Sequence, residues 1–158
     1  VKAKQPECVL DLCDICRTLP YPDSFFELIF CNMAMMDVLD FTAAICEASR
    51  VLQKSGSFFF SIVHPMLYTG EWVHDGSGRK TSYRVENYLS RCSAMNNYWG
   101  TTVHFHRPIS FYINESLKAG LTLLGMEEVC IAADETSPDP HGRPAGVPTL
   151  ALFEFCKD

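Results

Sequence analysis

The chain has 158 residues, 47% of them hydrophobic and 20% charged, an ordinary globular balance that suits one domain with one core. A net charge of −6 and a pI near 5.3 argue against a general nucleic-acid binder, which would carry a basic surface. No apolar run approaches the roughly eighteen residues of a membrane-spanning helix, and no basic, apolar, small-residue leader opens the sequence at Val1.

Eight cysteines are spread along the chain, several inside apolar runs such as Phe30-Cys31 and Ile45-Cys46, where a thiol behaves as a small hydrophobe. Without a secretory leader, reduced thiols in the cytoplasm are expected. Cys13-Asp14-Ile15-Cys16 is a lone CxxC with no second ligand pair at matching spacing, so no metal is assigned to it.

In chain order, strand-like and helical stretches alternate, the pattern of a layered α/β domain. Val9–Leu12 is a short apolar run, read as a strand near 9–13 that ends by Asp14. A loop punctuated by Pro20 and Pro22 follows. Phe26–Cys31 is nearly all apolar, as in a parallel strand covered on both faces. Residues 41–53 switch period: Phe41, Ala44, Ile45, Ala48, Val51 and Leu52 share one helical face, Asp40 stands at the N-cap, and Lys54 and Gly56 mark the stop. Ser57–Val63 returns to a buried strand, ended by His64-Pro65.

Residues 66–105 change texture, with four glycines and the aromatics Tyr68, Trp72, Tyr83, Tyr88, Tyr98 and Trp99. They read as a lid-like insertion with small strands, since long insertions of this kind are functional or disordered and the aromatics argue against disorder. Ile109, Ile113, Leu117 and Leu121 form another helical stripe with Ser110 as its cap. Two closing strands are expected, one running to Ala132 from either Leu121 or Met126, and one over 149–156.

The run Leu19-Pro20-Tyr21-Pro22-Asp23-Ser24-Phe25-Phe26-Glu27-Leu28-Ile29, with Asp14 a few residues before it, resembles the small-molecule methyltransferases related to the ubiquinone-biosynthesis enzymes. Glu27 stands where that family usually has aspartate. Arg50-Val51-Leu52-Gln53-Lys54-Ser55-Gly56, then Ser61-Ile62-Val63-His64-Pro65, resembles the family's second block. His104-Phe105-His106-Arg107-Pro108-Ile109-Ser110-Phe111-Tyr112 is similar to a third, found in a bacterial-type subgroup, and Tyr83–Tyr88 fits the lid before it. Each block alone is an ordinary turn or a helix stopping at glycine; their order and spacing carry the resemblance.

The resemblance implies a Rossmann-like class I methyltransferase sheet, truncated on its N-terminal side and carrying an inserted lid, with S-adenosylmethionine as cofactor and a small-molecule acceptor. Asp11–Asp14 corresponds to the third strand of that fold, so the glycine-rich loop and the ribose-holding acid of the first two strands are missing. Two βα units at about 30 residues each put the shortfall at about 60 residues of a longer chain.

By the same resemblance Asp14 accepts from the adenine amino group and the Ile15 amide meets the ring, while a loop aspartate capping a turn is the plainer reading. Asn32 and Met33 end a strand where open α/β sheets bind ligands; Met33, Met35 and Met36 suit plain packing as well. His64, and after it His106, are the candidate bases, needed only if the accepting atom carries a proton. Arg107 and Tyr88 are candidate acceptor contacts, with Trp72 and Trp99 either lining that pocket or packing the lid. A different class of function is a non-catalytic remnant that binds a partner, or itself, through an exposed sheet edge. A dehydrogenase is a third option, disfavoured because the two leading blocks are not features of that class.

Overall fold

The computed structural model describes residues 8–96, 101–130 and 146–158. Its centre is a four-stranded sheet built from β1 (Phe26–Asn32), β2 (Leu52–Val63), β7 (Leu121–Val129) and β8 (Leu150–Lys157), in the order β1-β2-β8-β7. β1 and β2 run parallel, in register from Leu28↔Ser57 to Asn32↔Ser61. A parallel pair needs a crossover, which α1 (Phe41–Val51) supplies. β8 lies antiparallel to both β2 and β7, as expected for the last strand.

One face of this sheet is the core. Phe41, Ala44, Ile45 and Ala48 of α1, with Tyr112 of α2 (Ile109–Lys118), pack on Phe58, Phe60, Ile62, Ala151, Phe153 and Phe155. Aromatic rings dominate it: Phe60 stacks on Phe153 with centroids 4.6 Å apart, and Phe41 meets Tyr112 edge-on at 4.9 Å. The opposite face is different. Leu28 is 58% and Phe30 69% exposed, so among the described residues the expected two-sided cover of β1 holds for one side only.

The expected strand at 9–13 is absent. Val9 is 85% exposed and Leu12 fully so, and the segment joins no ladder. An apolar run becomes a strand only when a neighbour takes its N–H and C=O groups, and no described strand does so here.

Asp40 caps α1 as its position suggests, Oδ1 accepting from the Ala43 N–H at 3.0 Å. Its replacement by alanine is expected to cost ~1 kcal/mol, read as a lowered urea midpoint. The helix ends sooner than Lys54, however, and β2 starts at once at Leu52 rather than at residue 57. Where Lys54 and Gly56 suggest a helix stop, the chain instead forms a bulge, in which Phe26 pairs with Leu52 but Leu28 pairs with Ser57 and Ser55 takes φ +62°. A Cβ on Gly56 would sit 2.9 Å from the carbonyl oxygens of both Gln53 and Glu27. Close backbone approach therefore accounts for the glycine. Gly56→Ala is expected to lower stability by ~1–3 kcal/mol, checked by chemical unfolding.

Arg50 ties the proline loop to α1. Its guanidinium donates to the carbonyls of Leu19 and Tyr21 and to Asp23 and Glu47, the last two at 2.7 and 2.8 Å. Glu47 also accepts from the Leu19 N–H at 2.8 Å. These bonds, Arg50 first, hold the Glu47 carboxyl below its ordinary value of 4.5. Stability from that group is thus full above pH 4.5 and is lost as pH falls through the depressed native value. Glu47→Gln should flatten that part of an acid-unfolding curve.

The described residues between 66 and 106 hold two antiparallel strand pairs, β3 (Gly70–His74) with β4 (Lys80–Val85), and β5 (Cys92–Asn96) with β6 (Thr102–His106). Trp72 packs edge-on against Tyr83 at 4.8 Å within the first of them; Tyr98 and Trp99 lie outside the described residues. α2 starts after Pro108 without a side-chain cap from its own segment, so Ser110 is not the cap. Tyr88 supplies one instead: its hydroxyl accepts from the Ile109 N–H at 3.0 Å.

Candidate functional site

The C-terminal ends of β1 and β2 lie side by side and form one edge. Asn32 Oδ1 accepts from the Ser61 hydroxyl at 2.6 Å, and the Met33 N–H donates to the Ser61 carbonyl at 3.0 Å. Met33 has φ +54°, a conformation that costs a residue with a Cβ and concentrates at ligand sites. That kink turns the chain into a short 3-10 turn, Met35–Asp37, which buries Met35 and Met36 in the core. Those two methionines are packing residues.

His64 stands on the same edge, three residues beyond Ser61, and is 4% exposed. Nδ1 accepts from the Met66 N–H at 3.3 Å, capping the turn Pro65–Tyr68. Nε2 must therefore carry the hydrogen it gives to Glu128 Oε1, 2.7 Å away on β7. Both ring nitrogens are engaged.

Asp14 caps a turn, with Oδ1 accepting from the Cys16 N–H at 3.0 Å and the carboxylate 3.3 Å from Arg17. Ile15 lines an apolar groove of about 360 Å³ with Leu19, Cys31, Met35 and the near end of α1. The groove places Ile15 beside the last residues of β1. No contact links the Asp14 carboxylate to Asn32 among the described residues.

A second group gathers around His106. His106 Nε2 lies 2.7 Å from the Tyr88 carbonyl, which can only accept, so this nitrogen carries the hydrogen. Its Nδ1 is buried and finds no partner among the described residues. Arg107, 6% exposed, donates to the carbonyls of Val38 and Leu39 at 2.6 and 3.0 Å. Its guanidinium lies over the Phe105 and Phe111 rings at 5.1 and 5.8 Å. The structure thus brings Tyr88, His106 and Arg107 together and joins Asn32 and Met33 through Ser61, while the His64 ring is bonded to Glu128 on β7.

Sequence reasoning missed a third arrangement. His104 Nδ1 is 2.8 Å from the Tyr68 hydroxyl and 2.9 Å from Asp37 Oδ1, the latter out of line for a hydrogen bond. Burial pushes the Asp37 carboxyl up from its ordinary range, while His104 pulls the other way. Nothing local marks this cluster, because its members lie on three separate elements. Likewise no helix among the described residues is long and apolar enough to cross a membrane, and no three potential metal ligands converge there.

A sheet in this order, with a helix crossing between two parallel strands, an antiparallel last strand and two strand pairs before the final helix, superposes on solved S-adenosylmethionine-dependent methyltransferases. The comparisons agree. Residues 1–60 match the family described as Methyltransferase domain. The chain is 37% identical over 76 residues to the malonyl-[acyl-carrier protein] O-methyltransferase of Halorhodospira halophila, across 46% of this chain and 25% of that one. It is 25% identical over 114 residues to the ubiquinone/menaquinone biosynthesis C-methyltransferase of Xylella fastidiosa, across 70% of this chain and 42% of that one. The crystal structure of an S-adenosylmethionine-dependent methyltransferase from Mesorhizobium loti superposes on 99% of this chain and 74% of its own, with a TM-score of 0.80 at 22% identity. The chain therefore has the fold of the solved S-adenosylmethionine-dependent methyltransferases, and its first 60 residues match a methyltransferase domain. It spans less than half the length of the two curated relatives.

The residues present fit the cofactor of that class only in part. The first glycine of these 158 residues is Gly56, so residues 1–55 themselves supply no glycine-rich turn for the methionine end.

Proposed function

We propose that the chain is the acceptor-side part of an S-adenosylmethionine-dependent methyltransferase acting on a small molecule, within a longer protein that supplies the glycine-rich loop. The observation that carries this reading is the shared edge of β1 and β2, where Met33 holds a left-handed backbone beside Asn32 and Ser61. Open α/β sheets bind ligands at such an edge. In this reading Asp14, Ile15, Asn32 and Met33 meet the cofactor, and residues 66–105 form the lid over the acceptor.

Methyl transfer is an in-line displacement, so holding the acceptor against the methyl group does much of the work. Of the two candidate bases, His106 has the better arrangement, since the Tyr88 carbonyl orients the ring by holding Nε2–H. His64 is a positioning residue, tied to Glu128 and to its own turn. The test is formation of S-adenosylhomocysteine by an upstream-extended form with and without Asn32→Ala and His106→Gln. At least a tenfold loss in both variants is expected, equal to ~1.4 kcal/mol or more. Unchanged turnover in both would refute the assignment.

A second reading has its own observation. The bare face of β1, with Leu28 and Phe30 more than half exposed, suits pairing with another chain. Sedimentation over a hundredfold range of concentration separates the two: a concentration-independent monomer removes the partner-binding reading.

A further inference from the structure

A groove of about 360 Å³ opens between the N-terminal ends of α1 and α2 and strand β5, lined by Asp40, Thr42, Arg91, Phe105, Arg107 and Phe111 among others. Two observations there point to a ligand. Arg107 is 6% exposed, and no carboxylate among the described residues pairs with it. It gives Nη2 to two carbonyls, and the neutral Tyr112 hydroxyl lies close enough to interact with the guanidinium, but Nη1 meets no hydrogen-bond partner of good geometry among the described residues. Buried charges are costly unless compensated, and this guanidinium, held by carbonyls, rings and a neutral hydroxyl, forms no direct ion pair among the described residues. The second observation is Arg91, exposed, with its guanidinium 5.3 Å from the Phe111 ring that Arg107 also faces. Two cations thus flank one ring at one groove, on a chain of net charge −6.

We propose that this groove binds a carboxylate, and that the carboxylate belongs to the methyl acceptor. The charges around it favour a singly charged group. The two arginines face Asp40, whose Oδ1 is taken by the Ala43 N–H, leaving one positive charge in excess. Glu115 lies within electrostatic reach of Arg91, but Lys118 and Thr42 hold its carboxylate at 2.6 and 2.8 Å. The amides at the start of α1 and α2 add dipoles of the same sign. Phe41, Phe105 and Phe111 make the rest of the wall apolar, which suits an aromatic or alkyl acid over a free inorganic ion.

The proposal rests on the acceptor-side reading above, but its test needs no cofactor. Benzoate, benzamide and phenyl phosphate are titrated separately into the 158-residue chain while the Arg Nε–H resonances are followed by NMR. Benzoate is expected to shift the Arg107 signal saturably, and benzamide not to. Arg91→Ala, an exposed change that leaves the fold intact, should weaken benzoate about tenfold, the loss of one charge-assisted hydrogen bond. Equal effects of benzamide, or no saturable shift in a chain whose spectrum is dispersed, would overturn the site. Tighter binding of phenyl phosphate would overturn the carboxylate assignment. Benzoate binding that fails to inhibit S-adenosylhomocysteine formation by the active extended form would overturn the link to the acceptor. An extended form that makes no S-adenosylhomocysteine defeats the proposed function instead, whatever benzoate does.

Discussion

Phe60→Ala is expected to remove about 3–5 kcal/mol of stability, the range for a fully buried aromatic whose cavity the surroundings only partly refill. Phe60 is 1% exposed at the centre of β2. Its ring contacts Phe153 at 4.6 Å, Phe58 at 5.4 Å, Phe155 at 5.9 Å and Phe41 at 6.1 Å, so one truncation unsupports both the sheet and α1. Urea unfolding should show a lower midpoint at an unchanged slope. A marginal domain could lose most of its folded population. Phe30→Ala on the neighbouring strand is the control. Phe30 is 69% exposed, so the same chemical change there should cost under about 1 kcal/mol. A Phe60 effect as small as that of Phe30 would mean that the core is not the face packed by α1 and α2.

The other large effect concerns S-adenosylmethionine. In the proposed reading the cofactor meets Asp14, Ile15 and the Asn32–Met33 edge within these residues, while residues 1–55 hold no glycine from which a glycine-rich loop for its amino-acid end could be built. Charged hydrogen bonds contribute ~1.5–3 kcal/mol each, so lacking about three of them weakens binding by ~4.5–9 kcal/mol. At about 1.4 kcal/mol per decade that is three to six powers of ten. The uncovered side of β1 adds to the deficit, since Leu28 and Phe30 leave the cofactor edge open to water.

Several features were legible in the residues themselves. The period of Phe41 to Val51, begun by Asp40, specified α1, and the two apolar runs specified the parallel pair β1 and β2. The direction of β8 came from the resemblance alone, because alternation along one strand says nothing about its neighbour's polarity. Val9–Leu12 misled for a related reason: its residues have strand character, but pairing decides whether they form one. At Gly56 the glycine was read as a helix stop, and the deciding contact was across the sheet, with the Glu27 carbonyl.

The candidate site was legible to the extent that its residues are close in sequence to strand ends. Asn32, Met33 and His64 follow β1 and β2 directly, and Arg107 follows β6. The Tyr88 cap on α2, the Glu128 partner of His64 and the Asp37–His104–Tyr68 cluster join positions 21 to 67 residues apart. Such pairs depend on which distant elements the tertiary fold brings side by side, and no local pattern encodes them.

The most direct test is calorimetric titration of S-adenosylmethionine into this 158-residue chain and into a form extended upstream through a glycine-rich strand–loop–helix. The expected result is micromolar binding by the extended form, with heat abolished or reduced by at least about three powers of ten in affinity for the shorter one. Micromolar binding by the 158-residue chain as a monomer would contradict the account, because its cofactor site would then lie among residues given no part in it here.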